Sequence, residues 1–310
     1  MTIRLPVTMH FIERDWLSAN QIVFFDSAHT ASVVDTGYVK HETLTCALVK
    51  HVLGARTLTR IINTHLHSDH CGGNHALAQM YAPEVLVPSG SFSAARHWSE
   101  ETLSFAATGQ RCPRFEPSGA IGPGDRIHLG GLLWEVHAAP GHDPESIVLF
   151  EPVHRILISA DALWEDGFGV TFPELSGESG FREQREVLDL IAQLDPVLVV
   201  PGHGGMFTEV DLALARARGR LAWLQEDPVR NARYAMKVLV KFLMLDMERA
   251  TEEEVLARLA GTRLLKDTSA LLSTPVEDAL RWALESLVKS RALELQGEVY
   301  CTPGLSVVPS

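Results

Sequence analysis

Apolar and polar positions change in short runs through the opening third of the chain. VTMHFIE, NQIVFFD and TASVVDTG are β-rich stretches separated by clusters of Ser, Ala, Asn, Asp and His, which predicts antiparallel strands. The period then lengthens. KHETLTCALVKHVLG carries apolar residues at helical spacing and stops at Gly54, a C-terminal stop signal. TRIINT returns to a strand pattern, and GGNHALAQMYAP predicts a helix that begins at the glycines and ends before Pro83.

Further along, VLVPSG, DRIHLGG, LLWEVHAAPG, SIVLFEP, RILISAD and PVLVVPG are strand-like, and FREQREVLDLIAQLDP is an amphipathic helix feeding the last of them. Strands dominate with helices between them, and the polar, histidine-bearing turns fall at strand ends. That pattern predicts sheet layers with helices outside and a site at one sheet edge.

From about Thr208 the character becomes helical: DLALARARGRLAWLQ, DPVRNARYAMKVLVKFLMLDME, ATEEEVLARLAG and TPVEDALRWALESLVKSRA. Thr251 is the expected N-cap of the third, and Pro275, after Thr274, the expected first helical residue of the fourth. ALELQGEVYCT reads as a hairpin turning at Gly297. The expected division is therefore residues 1–208 as one domain and residues 209–310 as a helical linker plus a winged-helix-like domain.

Composition sharpens this division. The chain has 310 residues, 46% of them hydrophobic, enough to bury a sizeable core, and a formal net charge of −12. Residues 1–208 carry 13 Lys and Arg against 24 Asp and Glu, and the remainder 14 against 15. Neither part has the basic surplus of a dedicated nucleic-acid binder. All 14 histidines lie at or before His203, so histidine belongs to the task of the first domain. Cys46, Cys71, Cys112 and Cys301 form no C-x-x-C pair, which reads as free thiols in a reducing cytoplasm. MTIRLPVTMHFIERDW has no signal-peptide pattern, and no apolar run approaches the ~20 residues of a membrane span. The expectation is a cytoplasmic protein with no membrane partner.

Against that background THLHSDHCGG, Thr64 to Gly73, is crowded with titratable groups. Imidazole and carboxylate are ligands for zinc and similar ions, and a catalytic site leaves one position open. His65 and His67, two apart, suit one ion, while Asp69 and His70 turn toward a second. The alternative is a polar surface turn rich in histidine by chance. APGHDPES, RILISADAL and LVVPGHGG weigh against it, placing His142, Asp161 and His203 at three further strand ends, two of them after the same Pro-Gly turn.

H-x-H-x-D-H followed by a lone His, a lone Asp and a P-G-H resembles the metallo-β-lactamase fold superfamily over roughly residues 7–208. The resemblance implies an α/β fold, a four-layer αβ/βα sandwich with a metal centre at the sheet edge. It assigns His65, His67 and His142 to a first metal, Asp69, His70 and His203 to a second, and Asp161 to a bridge. Asp35 of VVDTG matches the family's early Asp-Thr-Gly turn, which supports the metal loop. The order of domains is similar to the glyoxalase II-like hydrolases and to relatives with a winged-helix tail, although this tail lacks the histidine and basic signature of glutathione or RNA binding.

The implied activity is metal-dependent hydrolysis of a thioester or other carboxylic ester by a metal-bound hydroxide, with Asp69 orienting the nucleophile. Two divalent cations outweigh Asp69, Asp161 and a bridging hydroxide, leaving the centre net positive for a developing oxyanion. Zinc leads, with iron or manganese as alternatives, since no cysteine occupies a ligand position. Competing readings are a metal-dependent endoribonuclease or phosphodiesterase, a mononuclear-iron persulfide dioxygenase, and, outside enzymes, a DNA-binding regulator with a metal-sensing domain. The expected partner is a small-molecule substrate, with nucleic acid less favoured. MKVLVKFLML fits either an intrachain contact or a homo-oligomer.

Other residues divide two ways. Cys71 reads as a packed thiol rather than a ligand, and His75 and His97 as surface or helix-end residues. Trp164, Phe168 and Phe172 are balanced between substrate pocket and core. Arg216, Arg218, Arg220, Arg230, Arg233, Lys237 and Lys241 form a basic run read as a solvated helix face rather than an anion contact.

Overall fold

The structure, a computed structural model, describes residues 5–303. The outer ends of the two expected segments, residues 1–4 and 304–310, lie outside that range. Six strands form the first sheet in sequence order: β1 (Met9–Ile12), β2 (Gln21–Phe25), β3 (Thr30–Val34), β4 (Thr57–Ile62), β5 (Glu84–Pro88) and β6 (Gly119–Ile121). The first three pair antiparallel, as their pattern predicts, and β3 to β6 pair parallel. The second sheet runs β11-β10-β9-β8-β7, built from β7 (Arg126–Leu129), β8 (Leu132–Ala138), β9 (Ile147–Glu151), β10 (Ile156–Ala160) and β11 (Leu198–Pro201). Only its β10–β11 pair is parallel.

Period-two alternation stacks these sheets face to face. Ile22 and Phe24 of β2 join Leu149 of β9, Ile158 of β10 and Val200 of β11 in one core between the sheets, with Trp134 fully buried there. The intervening Val23 faces outward against α1 (Glu42–Leu53) and α3 (Asn74–Tyr81). Val148, Leu157 and Val199 likewise face α6 (Phe181–Leu194) and α7 (Val210–Glu226). Both faces of each sheet are covered, which is why the strands read as near-continuous apolar runs. The result is the expected four-layer αβ/βα sandwich. Short helices α2 (Ser68–Cys71), α4 (Phe92–His97) and α5 (Phe105–Thr108) and strand β6 carry no sequence period that predicts them. No helix among the described residues is long and apolar enough to cross a membrane.

A separate apolar cluster is organised by α8 (Pro228–Met247), whose Met236, Leu239, Val240 and Leu243 form one face. It packs on α9 (Glu252–Leu259), α10 (Arg263–Leu271) and α11 (Val276–Lys289). Strands β12 (Arg249–Thr251), β13 (Glu294–Gln296) and β14 (Val299–Cys301) form a small antiparallel sheet in the order β12-β14-β13. Thr251 caps α9 in a complete capping box with Glu254, and the hairpin turns at Gly297 with a positive φ, both as expected. Helix α10 has no counterpart among the elements that the sequence pattern predicts. Pro275 is the N-cap of α11 rather than its first helical residue, since its ψ of 148° is extended.

Both ends of α8 are tied to the sandwich. Near its start, Asn231 Nδ2 donates to the Thr171 carbonyl at 3.0 Å. At its end, Lys40 Nζ donates to the carbonyls of Leu245 and Asp246 at 2.9 and 2.7 Å, a cation on the negative end of the helix dipole. Tyr38 and Arg111 donate to the Asp246 carboxylate, at 3.2 and 2.7 Å. Within MKVLVKFLML, Met236, Leu239, Val240, Leu243 and Met244 pack inside the chain, while Val238, Phe242 and Leu245 face the cavity. Helix α8 lies as a fixed bar along one side of a cavity of about 670 Å³.

Candidate metal centre

The floor of that cavity is built from strand ends. Asp35 follows β3, His65 and His67 follow β4, Asp69 and His70 sit in α2, His142 lies between β8 and β9, Asp161 follows β10 and His203 follows β11. Carboxyl ends of the parallel pairs β3–β4 and β10–β11 therefore supply most of the groups, where α/β sheets place their ligands. Backbone bonds stitch the loops together across the two sheets: Ala19 N–H to the Asp69 carbonyl at 2.9 Å, Asn20 N–H to Gly202 at 2.7 Å, and Ile147 N–H to Thr64 at 2.9 Å. Asn20 Nδ2 also donates to the carbonyls of Pro201 and Gly204, clamping the turn that carries His203.

All seven sequence-predicted site residues come together. His67 Nδ1 lies 3.1 Å from His65 Nε2 and 2.8 Å from His142 Nε2. His65, His67 and His142 form one group whose donor atoms lie within 4.8 Å of one another; Asp69, His70 and His203 form a second, and His65, His70 and Asp161 a third. Asp161 faces both sides, with Oδ2 3.4 Å from His142 Nε2 and Oδ1 3.4 Å from His70 Nε2. Asp69 Oδ2 is 3.1 Å from His203 Nε2.

The electrostatics differ between the two sides. Burial, reinforced by neighbouring imidazoles, pushes His65 well below its ordinary value and His67 and His142 down to about 4, so these rings are uncharged at neutral pH. Burial opposes charge on His70 as well, but Asp161, Asp35 and Asp69 outweigh it and hold that ring well above the ordinary histidine range. Burial raises Asp161 and Asp69, yet His70 and His203 carry both below the usual carboxylate range. Neutral imidazoles beside ionised carboxylates are the donor forms a divalent cation binds. The residues fit such an ion: His65, His67 and His142 offer uncharged rings beside Asp161, and His70 Nε2 is buried without a hydrogen-bond partner among the described residues, its charge held there by carboxylates whose place beside it a cation would share.

That engagement is the work of Asp35. Its carboxylate accepts from Thr64 N–H at 2.9 Å, Thr64 Oγ1 at 2.7 Å and His70 Nδ1 at 2.8 Å. The Val170 carbonyl does the same for His142, accepting from Nδ1 at 2.6 Å. Both contacts fix which nitrogen faces the centre. Asp35 and Ala160, each at a strand end beside the site, adopt positive φ values of 57° and 47°, local strain of ~1–3 kcal/mol that the surrounding bonds sustain. Close packing also selects glycine twice: a Cβ at Gly202 would collide with Asp161 and His70, and one at Gly169 with the His142 ring.

The rim is aromatic. Trp164 Nε1 donates to Asp161 Oδ1 at 3.3 Å, and Phe172 packs against His67 and His142. Both line the cavity, whereas Phe168 is fully buried and belongs to the core. Trp16, which carries no sequence signal, stacks on His203 with centroids 5.2 Å apart and is 57% exposed. Asn20, Thr64 and Asn231 are equally silent in the sequence, because their roles depend on bonds across long stretches of chain. Cys71 is a buried thiol raised by desolvation, its Sγ 3.7 Å from Cys112 Sγ, as a packed residue rather than a ligand. His75 and His97 bond to backbone carbonyls away from the site.

Residues 14–203 match the Metallo-beta-lactamase superfamily profile. The chain is 29% identical over 179 residues to a hydroxyacylglutathione hydrolase of Chromohalobacter salexigens, covering 57% of this chain and 57% of that protein. It is 31% identical over 199 residues to the hydroxyacylglutathione hydrolase of Anaeromyxobacter dehalogenans, covering 60% of this chain and 68% of that one. The chain thus spans little more than half the length of the first relative. A metallo-beta-lactamase family protein from Thermus thermophilus shares the fold at a TM-score of 0.57 and 18% identity, over 95% of this chain and 98% of that chain. The chain belongs to the metallo-beta-lactamase superfamily.

Proposed function

We propose that this metallo-beta-lactamase superfamily chain is a metal-dependent hydrolase that cleaves a thioester or another carboxylic ester at a two-cation centre. One observation carries the reading: three uncharged imidazoles converge beside a carboxylate-bearing group, and Asp161 faces both. In this reading His65, His67 and His142 would hold one cation and Asp69, His70 and His203 the other, with Asp161, whose two oxygens face both groups, available to both. Zinc is the first choice by donor type, with iron or manganese as alternatives. Such cations supply Lewis-acid polarisation of the substrate carbonyl and an activated water as nucleophile.

The chain's own residues do the rest. Asp69, lining the cavity beside His203, orients the attacking water. Asp35 and the Val170 carbonyl keep the ring nitrogens of His70 and His142 aimed at the centre. Phe172 packs against His67 and Trp164 against His203, giving each side an apolar rim. The activity for which the two relatives are named supports a thioester and a small-molecule substrate, and the free thiols fit a reducing cytoplasm. Residues 1–208 act in this reading as the catalytic unit. The β12-β14-β13 sheet with α9 to α11 supports a winged-helix-like reading of the tail, whose contribution here is the cavity wall.

Thiol release from a hydroxyacyl thioester tests the reading. Metal-loaded protein should turn the substrate over, chelation should abolish turnover, and Asp69→Asn should slow it about a hundredfold or more. Turnover that survives full metal removal would contradict it.

A further inference from the structure

The basic run of the tail divides into two kinds of cation. Arg216 pairs with Asp166, Arg218 with Asp189, and Arg230 with Glu226. The Arg220 guanidinium lies over the Tyr234 ring at 4.2 Å and that of Arg233 lies 5.9 Å from the Trp282 centroid. Lys237 and Lys241 differ from these five. One turn apart on α8, both are half-buried, both line the metal-facing cavity, and neither has a carboxylate within ion-pair reach among the described residues.

Lys241 Nζ donates one hydrogen bond, to the Ala292 carbonyl at 2.8 Å, and burial pushes its ammonium below the ordinary lysine value. A partly desolvated ammonium without a counter-charge is costly, and an anion placed beside it relieves that cost. The acidic groups of the same lining do not serve. Asp267 is 3.7 Å from Arg263, Asp143 accepts the Glu145 N–H, and Glu101 and Glu178 are exposed. Val238, Phe242 and Leu245 share this helical stripe with the lysines, so α8 sets two positive points on a largely apolar face, while Arg263, the other basic side chain of the lining, stands 3.7 Å from Asp267.

We propose that Lys237 and Lys241 form an anion subsite that selects substrates bearing a carboxylate or phosphate on an apolar chain. The inference rests on the hydrolase reading for the bond cleaved, but not for the anion bound. A cavity of about 670 Å³ has room for such a chain reaching from α8 to the metal floor. It also explains how an acidic sandwich, with 24 acidic against 13 basic residues in positions 1–208, admits an anionic substrate at all.

Three matched thioesters test this: hexanoyl mercaptoethanol, hexanedioyl mercaptoethanol and hexanoyl mercaptopropionate. The first is neutral, the second carries its carboxylate on the acyl side, and the third on the thiol side. Metal-loaded wild type should prefer one charged thioester by about tenfold or more in kcat/KM, and which one locates the anion. Lys237→Met with Lys241→Met should collapse that preference toward unity at unchanged metal content; single Lys→Gln variants replace the pair if it does not fold. No preference in wild type, or a preference that survives loss of both lysines, overturns the proposal. If none of the thioesters is cleaved, the hydrolase reading fails by itself. Hexanoate binding, followed by calorimetric titration, then decides: about tenfold weaker binding in the lysine variant supports the subsite, and equal binding overturns it.

Discussion

The floor and the wall of the cavity are made by opposite means. The floor gathers seven polar residues from strand ends of both sheets and from α2, with backbone bonds stitching their loops and Asp35 and the Val170 carbonyl fixing His70 and His142. The wall on the tail side is dominated by one face of α8, with apolar side chains and two lysines that have no ion-pair partner among the described residues; hydrogen bonds near both ends of the helix, and the packing of Val170 and Leu175 into its apolar cluster, dock it to the sandwich. The difference teaches where rigidity and selectivity reside. Charge is concentrated where geometry is over-determined by sheet ends, and a helix face can change its side chains without disturbing them.

The largest expected effect breaks the floor while leaving the wall intact. Asp35→Asn keeps the left-handed backbone conformation, which asparagine tolerates, and keeps an acceptor for Thr64. Its amide then donates to His70 Nδ1, forcing the proton onto the nitrogen that should face the cation. Cation affinity should fall about tenfold to a hundredfold by calorimetric titration, with little change in secondary structure by circular dichroism.

Acid should act on the same region. His67 and His142 have folded-state values of about 4 against an ordinary 6.5, so the unfolded chain binds protons that the folded chain refuses. Their contribution is fully present above pH 6.5 and is lost as pH falls toward about 4. Metal-free protein should therefore show a melting temperature that drops across this window, and saturating cation should restore much of the loss near its upper end.

Smaller effects sharpen the contrast. Asn20→Ala removes two bonds to the His203 turn and the one its Oδ1 accepts from the Arg14 N–H, and should cost ~1–3 kcal/mol in denaturant unfolding. Asn231→Ala releases one bond between α8 and the Thr171 carbonyl, so its cost should be less, about 1 kcal/mol, and should leave cation affinity nearly unchanged. Trp164→Phe keeps an aromatic ring at the rim but deletes one long hydrogen bond to Asp161, and should shift cation affinity by less than about fivefold.

The same contrast governs what could be read from sequence. The floor's seven donors were legible because they sit in short polar motifs at the ends of apolar strand runs; the pattern gave sheet layers with helices outside, and the resemblance carried by those motifs gave the four-layer arrangement. Asp35 was legible only through its Asp-Thr-Gly turn. Asn20, Trp16 and Asn231 were not, since each acts on a residue far along the chain: Asn20 reaches Pro201 and Gly204, and Asn231 reaches Thr171. Lys237 and Lys241 looked like the arginines around them until the fold separated paired cations from unpaired ones. Helix α10 escaped because RLLKDTSALL is short and lacks a distinct stop signal.

Metal content per chain, measured by elemental mass spectrometry on wild type and on Asp161→Ala, tests the two-cation centre most directly. The account predicts close to two divalent ions in the wild type and a clear fall in the variant, because Asp161 faces both ligand groups. A wild type that binds no metal after reconstitution, or a variant that keeps its full complement, would contradict it.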